Sequence, residues 1–273
     1  MIDIRFLNEK ARQIRRDLLT TIYKAQAGHP GGSLSATDLL VALYYQVMTI
    51  DPKEPSRESR DRFILSKGHA SALLYAILAD KGYFDPDHLN RFRQISGILQ
   101  GHPDMKKTPG VDMTTGSLGQ GLSPGCGMAW AARKLGLSAR VFVLLGDGEL
   151  DEGQVWEALM FAAHHKLTNL VPIIDRNCLQ LDGDTEAVLS LEPLADKLQA
   201  FGWKVHEIDG HDMSEIVSAL SAAGNHDRLD IVIARTVKGK GVSFMEHQAG
   251  WHGQAPDAAE YKYAMIELGG EVS

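Results

Sequence analysis

The sequence predicts an α/β protein built on a central, mostly parallel sheet. Two aliphatic runs of the 273-residue chain, Val141–Leu145 and Leu170–Ile174, have the pattern of buried strands, and each ends abruptly in a polar turn. Between them, Asp151–Lys166 has the pattern of a helix that begins with acidic residues and ends on a cation. Strands joined in this way are parallel, which brings both polar turns to one edge of the sheet.

The remaining elements continue this alternation of helix and strand. The first is an amphipathic helix, 3–27, which ends at the Gly- and Pro-rich cluster 28–32. The other predicted helices are Ala36–Val47, 70–81, Leu122–Lys134, Leu191–Phe201, Met213–Ala222 and 257–268. The other predicted strands are Arg62–Ser66, Lys204–Ile208 and Asp230–Ala234. Because neither a repeat nor a low-complexity linker interrupts the pattern, we expect a single domain, 1–273.

Composition and charge exclude several classes of function. With 44% hydrophobic and 23% charged residues, the chain has the composition of a soluble globular protein. A formal charge of −7 without any basic run argues against nucleic-acid binding. No apolar stretch predicts a membrane span or a signal peptide, and Cys126 and Cys178 do not suggest a disulfide framework. We therefore expect a cytoplasmic enzyme or enzyme subunit with no membrane partner.

The two polar turns after the paired strands carry the ligands of a hard metal ion. Asp147 lies between two glycines in the first turn, and the second turn offers the side-chain oxygen of Asn177 and main-chain carbonyls near Leu179. Ligands of open α/β sheets bind outside this edge. These oxygens are too few to cage a metal ion alone, but they suit Mg²⁺ when phosphate oxygens complete its octahedron. The sequence therefore predicts a magnesium–diphosphate site, although Gly-Asp-Gly also occurs in ordinary loops.

Four histidines flanked by Gly or Pro are candidates for work at the same edge of the sheet: His29, His69, His102 and His252. Each one could instead be a turn histidine satisfied by backbone groups. Four such histidines beside a predicted diphosphate site favour a role in binding or catalysis, because imidazole donates to phosphate or sugar hydroxyls and moves protons near neutral pH. Other histidines have a structural or surface interpretation, namely His88, His164, His165, His206, His211 and His226.

Two common nucleotide-binding patterns are missing from the sequence, since neither G-x-x-x-x-G-K-[ST] nor G-x-G-x-x-G follows a predicted strand. The glycine loop 114–121 precedes a helix of small residues, so its backbone can approach a flat ligand closely. This combination argues against P-loop NTPases and Rossmann dehydrogenases.

With these segments together, the sequence resembles the N-terminal, diphosphate-binding half of a transketolase over nearly its whole length. Eight motifs in the family's order carry the resemblance. They are Ala27-Gly-His-Pro-Gly-Gly, Ser66-Lys-Gly-His-Ala-Ser, Gly101-His-Pro, Thr115-Gly-Ser-Leu-Gly-Gln-Gly, Gly146-Asp-Gly-Glu-Leu-Asp-Glu-Gly, Asp175-Arg-Asn, Val237-Lys-Gly-Lys-Gly and Trp251-His-Gly. The resemblance implies the three-layer α/β/α fold that binds thiamine diphosphate.

The resemblance also assigns roles to individual residues. The implied Mg²⁺ ligands, with Ca²⁺ or Mn²⁺ as substitutes, are Asp147, Asn177 and the main-chain oxygen of Leu179. The residues implied to contact the cofactor are His69, Gly116, Ser117, Leu118, Gly148, Asn177, Lys238 and His252. The position of Lys238 varies in residue type within the family. The histidines implied to face the reacting sugar are His29, His102 and His252, and Glu152 corresponds to an acidic residue that links paired active sites.

The implied reaction moves a two-carbon glycolyl unit from a ketose phosphate to an aldose phosphate. In the family, a Glu in the following pyrimidine-binding domain activates the cofactor. Only 21 residues follow His252 here, so we expect a partner chain to supply this Glu, with two copies of each chain in the assembly. The alternatives are a 2-oxoacid dehydrogenase α subunit, a 1-deoxyxylulose-phosphate synthase relative, or a non-catalytic subunit that binds thiamine diphosphate.

Overall fold

The fold is a five-stranded parallel sheet with helices on both faces. A computed structural model describes residues 2–225 and 227–270, so His226 lies outside the described residues. The strands are β1 (Arg62–Leu65), β2 (Val141–Gly146), β3 (Leu170–Arg176), β4 (Lys204–Asp209) and β5 (Asp230–Arg235). They are arranged in the order β1-β2-β3-β5-β4, and every adjacent pair is parallel.

Ten α-helices are described along the chain. They are α1 (Ile4–Ala25), α2 (Pro30–Ser35), α3 (Thr37–Ala42), α4 (Ser71–Asp80), α5 (Leu122–Lys134), α6 (Gly153–His164), α7 (Thr185–Val188), α8 (Leu194–Ala200), α9 (Met213–Ala222) and α10 (Ala258–Glu267). A π-helical turn, Leu43–Val47, extends α3, and short 3-10 turns occupy Gly68–Ala70, Pro86–Arg91, Gly148–Asp151 and Ala249–His252. None of the helices in the described part of the chain is long and apolar enough to cross a membrane.

Successive side chains along each strand enter two different cores, one on each face of the sheet. In β2, Phe142 and Leu144 belong to the core formed with α1, α3, α4 and α9, whereas Val141 and Val143 belong to the core formed with α5, α6 and α8. Burial of both faces explains why β2 and β3 are continuous apolar runs. The predicted three-layer α/β/α architecture is therefore confirmed.

Most predicted elements are present, and the errors lie where glycine, proline or a turn interrupts a pattern. The predictions of Leu122–Lys134 and Met213–Ala222 match α5 and α9 residue for residue. The predicted helix Asp151–Lys166 is wrong at its start, because a 3-10 turn and Glu152 precede α6. The cluster 28–32 is not only a helix breaker. Pro30 opens α2 there, since proline fits the first helical turn.

Candidate functional site

The carboxyl ends of the strands converge on an open pocket of about 600 Å³. Turns after β2, β3 and β5 contribute Asp147, Asn177 and Lys238, as expected for a parallel sheet. The complete lining is Gly32, Lys67, His69, Leu118, Gly146, Asp147, Gly148, Glu149, Asn177, Leu179, Gln180, Leu181, Lys238 and His252. The structure thus brings together the predicted oxygen ligands and most of the predicted cofactor contacts.

Local hydrogen bonds orient the side chains of two predicted metal ligands, Asp147 and Asn177. Asp147 is 2% exposed, and its Oδ1 accepts from the Gly148 amide at 2.8 Å while its Oδ2 accepts from the Cys178 amide at 2.5 Å. Asn177 Oδ1 accepts from the Leu179 amide at 3.1 Å. Burial, followed by the charge of Asp175, raises the pKa of Asp147 to about 6. A bound cation would offset this cost of burying the carboxylate.

The donor set fits an ion that shares its coordination with a phosphate ligand. Within residues 2–225 and 227–270, no group of three or more His, Cys, Asp or Glu side chains is arranged to hold a metal ion. A carboxylate, an amide oxygen and a carbonyl oxygen nevertheless line one pocket. Hard oxygen donors of this kind suit Mg²⁺ that keeps water or substrate oxygens.

Three of the predicted histidines form a cluster beside these oxygens. The ring centroid of His69 lies 5.2 Å from that of His29 and 5.0 Å from that of His252. Burial lowers the pKa of His29 and of His252 to about 4, with nearby cations as the next cause. Burial also lowers the pKa of His69. All three imidazoles are therefore neutral near pH 7, and each can donate one hydrogen bond and accept another.

Most of the glycine loop, and His102 beside it, lie outside the lining of the pocket. The ring of His102 packs on Gly116, where a Cβ atom would come within 3.2 Å of His102 Cγ. Gly116 has a φ of +155°, so both close approach and backbone conformation favour glycine at this position. Of the predicted loop residues, Leu118 lines the pocket, whereas Gly116 and Ser117 are not among its lining residues.

Two buried lysines line the floor of the pocket. Lys238 is 2% exposed, and its Nζ donates to the Leu179 carbonyl at 3.0 Å and lies 3.1 Å from Nδ1 of His252. Burial and the neighbouring Lys67 lower the pKa of Lys238 to about 8. Lys67 is 1% exposed and binds the Gly32 carbonyl at 2.9 Å and the carboxylate of Asp175 at 2.5 Å. Among the described residues Lys238 has no carboxylate partner, so its ammonium is available to an anionic ligand.

Three buried charged residues at the site were not predicted: Lys67, Glu149 and Asp175. All three stand inside the quoted motifs, next to residues that were assigned a role. Asp175, with no exposed surface, also accepts from Ser35 Oγ at 2.6 Å and from Thr236. The available signal was a charged residue at the end of an apolar strand, where burial requires a partner. The side-chain partners of these buried charged residues, however, are distant in sequence.

Some of the other histidines have the structural roles predicted for them. The ring of His206 binds Asp230 at 2.8 Å, and neither residue lines the pocket. His211 contacts Asp38 at 2.7 Å and receives the amide of Val237, so it supports the turn that carries Lys238.

Comparison with known proteins agrees with this geometry. Residues 7–272 match the family model described as the transketolase, thiamine diphosphate binding domain. The chain is 45% identical to a subunit of the 6-deoxy-6-sulfo-D-fructose transketolase of Clostridium sp. (strain MSTE9), over 96% of each protein. It is 41% identical to one of the subunits of the apulose-4-phosphate transketolase of Phocaeicola vulgatus, over 98% of this chain and 95% of that protein.

Longer transketolases match over part of their length. The crystal structure of transketolase from Campylobacter jejuni superimposes with a TM-score of 0.93 at 34% identity, covering 99% of this chain and 44% of that one. Human transketolase is 38% identical over 91% of this chain and 40% of its own length. The chain therefore belongs to the thiamine diphosphate binding domain family of the transketolases, which are transferases.

Proposed function

We propose that this chain is the thiamine diphosphate-binding component of a two-chain transketolase. Together with its partner it transfers a glycolyl unit from a ketose phosphate to an aldose phosphate. The observation that carries the proposal is the pocket itself, which is lined by Asp147, Asn177 and Leu179 together with neutral histidines and the ammonium of Lys238. Its oxygens suit a metal ion, and its imidazole and ammonium donors suit phosphate oxygens, which is what a metal–diphosphate group requires.

The metal ion in this proposal is Mg²⁺, with Mn²⁺ or Ca²⁺ as substitutes. Asp147 supplies the charged ligand, Asn177 supplies its amide oxygen, and Leu179 supplies its carbonyl oxygen. All three groups are hard donors at one edge of the sheet. The diphosphate and water supply the other ligands.

The cofactor contacts in this proposal come from five loops. His69, His252, Lys238 and the backbone of Gly148 bind the diphosphate, while the loop 116–118 lies along the thiamine. Gly148 is also required for packing, because a Cβ atom there would lie 2.7 Å from the Cβ atom of Gln180. Because glycine has no side chain, the backbone at this position leaves room in the pocket for the phosphates.

Thiamine diphosphate, when bound, supplies the carbanion stabilisation that permits cleavage of a ketose carbon–carbon bond. The histidines of this chain orient the sugar. His29 and His252 are neutral at operating pH because their pKa values are lowered to about 4, so each imidazole can donate a hydrogen bond to a carbonyl oxygen, accept one from a hydroxyl and assist proton transfer. His102, whose pKa is also lowered by burial and by Arg93, acts at the same carbon atoms from across Gly116.

The partner in this proposal is a second chain that resembles the C-terminal half of a transketolase. It supplies the Glu that activates the cofactor's pyrimidine ring, and two copies of each chain form the assembly. Glu152 is exposed at the start of α6, where a neighbouring protomer can reach it. Relatives of the same length carry the word subunit in their names, which supports this arrangement. We also propose a cytoplasmic location, which the unpaired state of Cys126 and Cys178 favours.

The test is an assay of glycolyl transfer with this chain alone and with the product of a neighbouring open reading frame that resembles the C-terminal half. We expect activity only from the mixture, with ketose phosphates as donors. Full activity of the 273-residue chain alone would overturn the two-chain proposal. Activity of the mixture with pyruvate but not with ketose phosphates would instead indicate a related thiamine diphosphate enzyme.

A further inference from the structure

Glu149 is a buried carboxylate that joins three loops of the pocket. It is 2% exposed, and its Oε1 accepts from the hydroxyl of Ser66 and from the Gly119 amide at 2.9 Å. Its Oε2 accepts from the Gly146 amide at 3.0 Å. Ser66 follows β1, Gly119 belongs to the glycine loop, and Gly146 ends β2 directly before Asp147. One side chain therefore connects three separate segments of the chain.

The three groups that surround the Glu149 carboxylate all donate a hydrogen bond to it. Backbone amides can only donate, so Gly119 and Gly146 need an acceptor. The hydroxyl of Ser66 itself accepts from the Gly121 amide at 3.2 Å, which leaves its proton for Glu149. The two oxygens of Glu149 thus satisfy three buried donors, and none of these donors could be left unpaired without a large cost.

The glycine loop has few side chains that could hold it in this position. Gly119 has a φ of +79°, and a Cβ atom added at Gly121 would lie 2.5 Å from the hydroxyl oxygen of Ser66. The backbone of the loop therefore lies directly against the end of β1 without side chains between them. Glu149 supplies the hydrogen bonds that hold it there, while the same residue fixes the turn that presents Asp147.

We propose that Glu149 is a positioning residue that holds the glycine loop in register with the turn carrying Asp147, so that thiamine and diphosphate are bound in one geometry. Only the second part of this inference, the binding of thiamine and diphosphate in one geometry, rests on the proposed function. Catalysis is sensitive to such registration, because a displacement of about 1 Å can cost as much as about a hundredfold in rate.

The test compares Glu149→Gln with a matched control at the opposite edge of the sheet. Asp61 is also 2% exposed and also accepts three hydrogen bonds, from the amides of Thr49 and Arg140 and from the Arg140 guanidinium. Asp61→Asn removes a buried charge of the same kind without touching the pocket. Both substitutions keep side-chain volume, but each replaces an acceptor oxygen by a donor group.

Two measurements separate positioning from general stability. The first is hydrogen exchange of the full chain, where Glu149→Gln should accelerate exchange in peptides covering 116–121 relative to Asp61→Asn. The second is the calorimetric affinity for thiamine diphosphate and Mg²⁺ with the partner chain present. There, Glu149→Gln should weaken binding at least about tenfold more than the control, since an unsatisfied buried donor costs about that much. Equal exchange in the two variants, or equal cofactor affinity, would overturn the proposal.

A milder variant covers the case in which Glu149→Gln does not fold. Glu149→Asp keeps both acceptor oxygens but shortens the side chain by one methylene group, and it should loosen the glycine loop in the same direction by a smaller amount. Faster exchange confined to the loop supports the positioning role, and unchanged exchange refutes it. If the wild-type chain with its partner binds no thiamine diphosphate at all, the proposed function fails, whereas the exchange measurement still decides whether Glu149 positions the loop.

Discussion

The two edges of the sheet differ in whether each buried cation has a carboxylate partner. At the amino edge, the carboxylate of Asp61 is paired with the guanidinium of Arg140. At the carboxyl edge, Lys67 is paired in the same way with Asp175, but Lys238 meets a carbonyl oxygen and an imidazole, and its pKa is lowered to about 8. Among the described residues Lys238 forms no ion pair, which is the arrangement expected where an anionic ligand is to complete the structure.

The largest expected effect comes from the proposed metal ligand, Asp147. Asp147→Ala should abolish Mg²⁺-dependent binding of thiamine diphosphate, lowering affinity by more than about a hundredfold, because the diphosphate charge is then poorly neutralised. Calorimetry with the partner chain present measures this. The chain should remain folded, whereas Asp61→Ala at the amino edge should mainly lower stability, since it leaves Arg140 buried without its carboxylate. Near-native cofactor affinity in Asp147→Ala would contradict the assigned site.

The second prediction divides the histidines by role. His29→Ala and His102→Ala should leave cofactor affinity nearly intact and lower turnover about 10²–10⁴-fold, the usual cost of losing a general acid or base. His69→Ala should weaken cofactor binding instead, because its ring lies at the pocket wall beside His252. Steady-state kinetics together with calorimetry distinguish the two outcomes. An equal loss of cofactor affinity in all three variants would rule out this division of labour.

A third, smaller effect is expected from the lysine on the pocket floor. Lys238→Met should reduce the affinity for thiamine diphosphate about tenfold, since it removes one charge-assisted hydrogen bond to the diphosphate. Lys240→Met is the matched control from the same turn. Lys240 does not line the pocket, and its Nζ lies 3.8 Å from Glu246. Equal affinities of the two variants would remove Lys238 from the cofactor site.

The smallest effect concerns the pH dependence of stability. The pKa values of His29 and His252 are about 4 in the folded chain against an ordinary value of 6.5. Between these values the two histidines bind protons in the unfolded chain but not in the folded chain, so their contribution to stability should fall as the pH is lowered from about 6.5 to 4 and should be constant above that range. Urea unfolding of the chain at pH 7 and pH 5 tests this.

The double variant His29→Asn, His252→Asn should lose less stability than the wild type over the same interval. An identical loss would show that other groups are responsible. The variant also sharpens the comparison of the two edges, because the paired carboxylates of the amino edge are unchanged in it.

Local sequence was sufficient for much of the site. The positions of Asp147 and Asn177 followed from two apolar strands, the helix between them and the parallel direction that such a helix enforces. The helix starts were less accurate. The turn Gly148–Asp151 delays the start of the predicted helix, because its residues bond to the strand end: the Gly148 amide donates to Asp147 Oδ1, and Glu149 Oε2 accepts from the Gly146 amide.

Periodicity and motif order thus determined the fold class, the edge that holds the pocket and the residues predicted to be its oxygen ligands, since these depend on neighbours within about one strand–helix–strand unit. Only the tertiary structure decided the roles of Lys67, Glu149 and Asp175. Lys67 and Asp175 are 108 residues apart in sequence, and Glu149 and Ser66 are 83 residues apart. The partner of a buried charge is selected by packing between distant segments, and a single sequence contains no local signal for that choice.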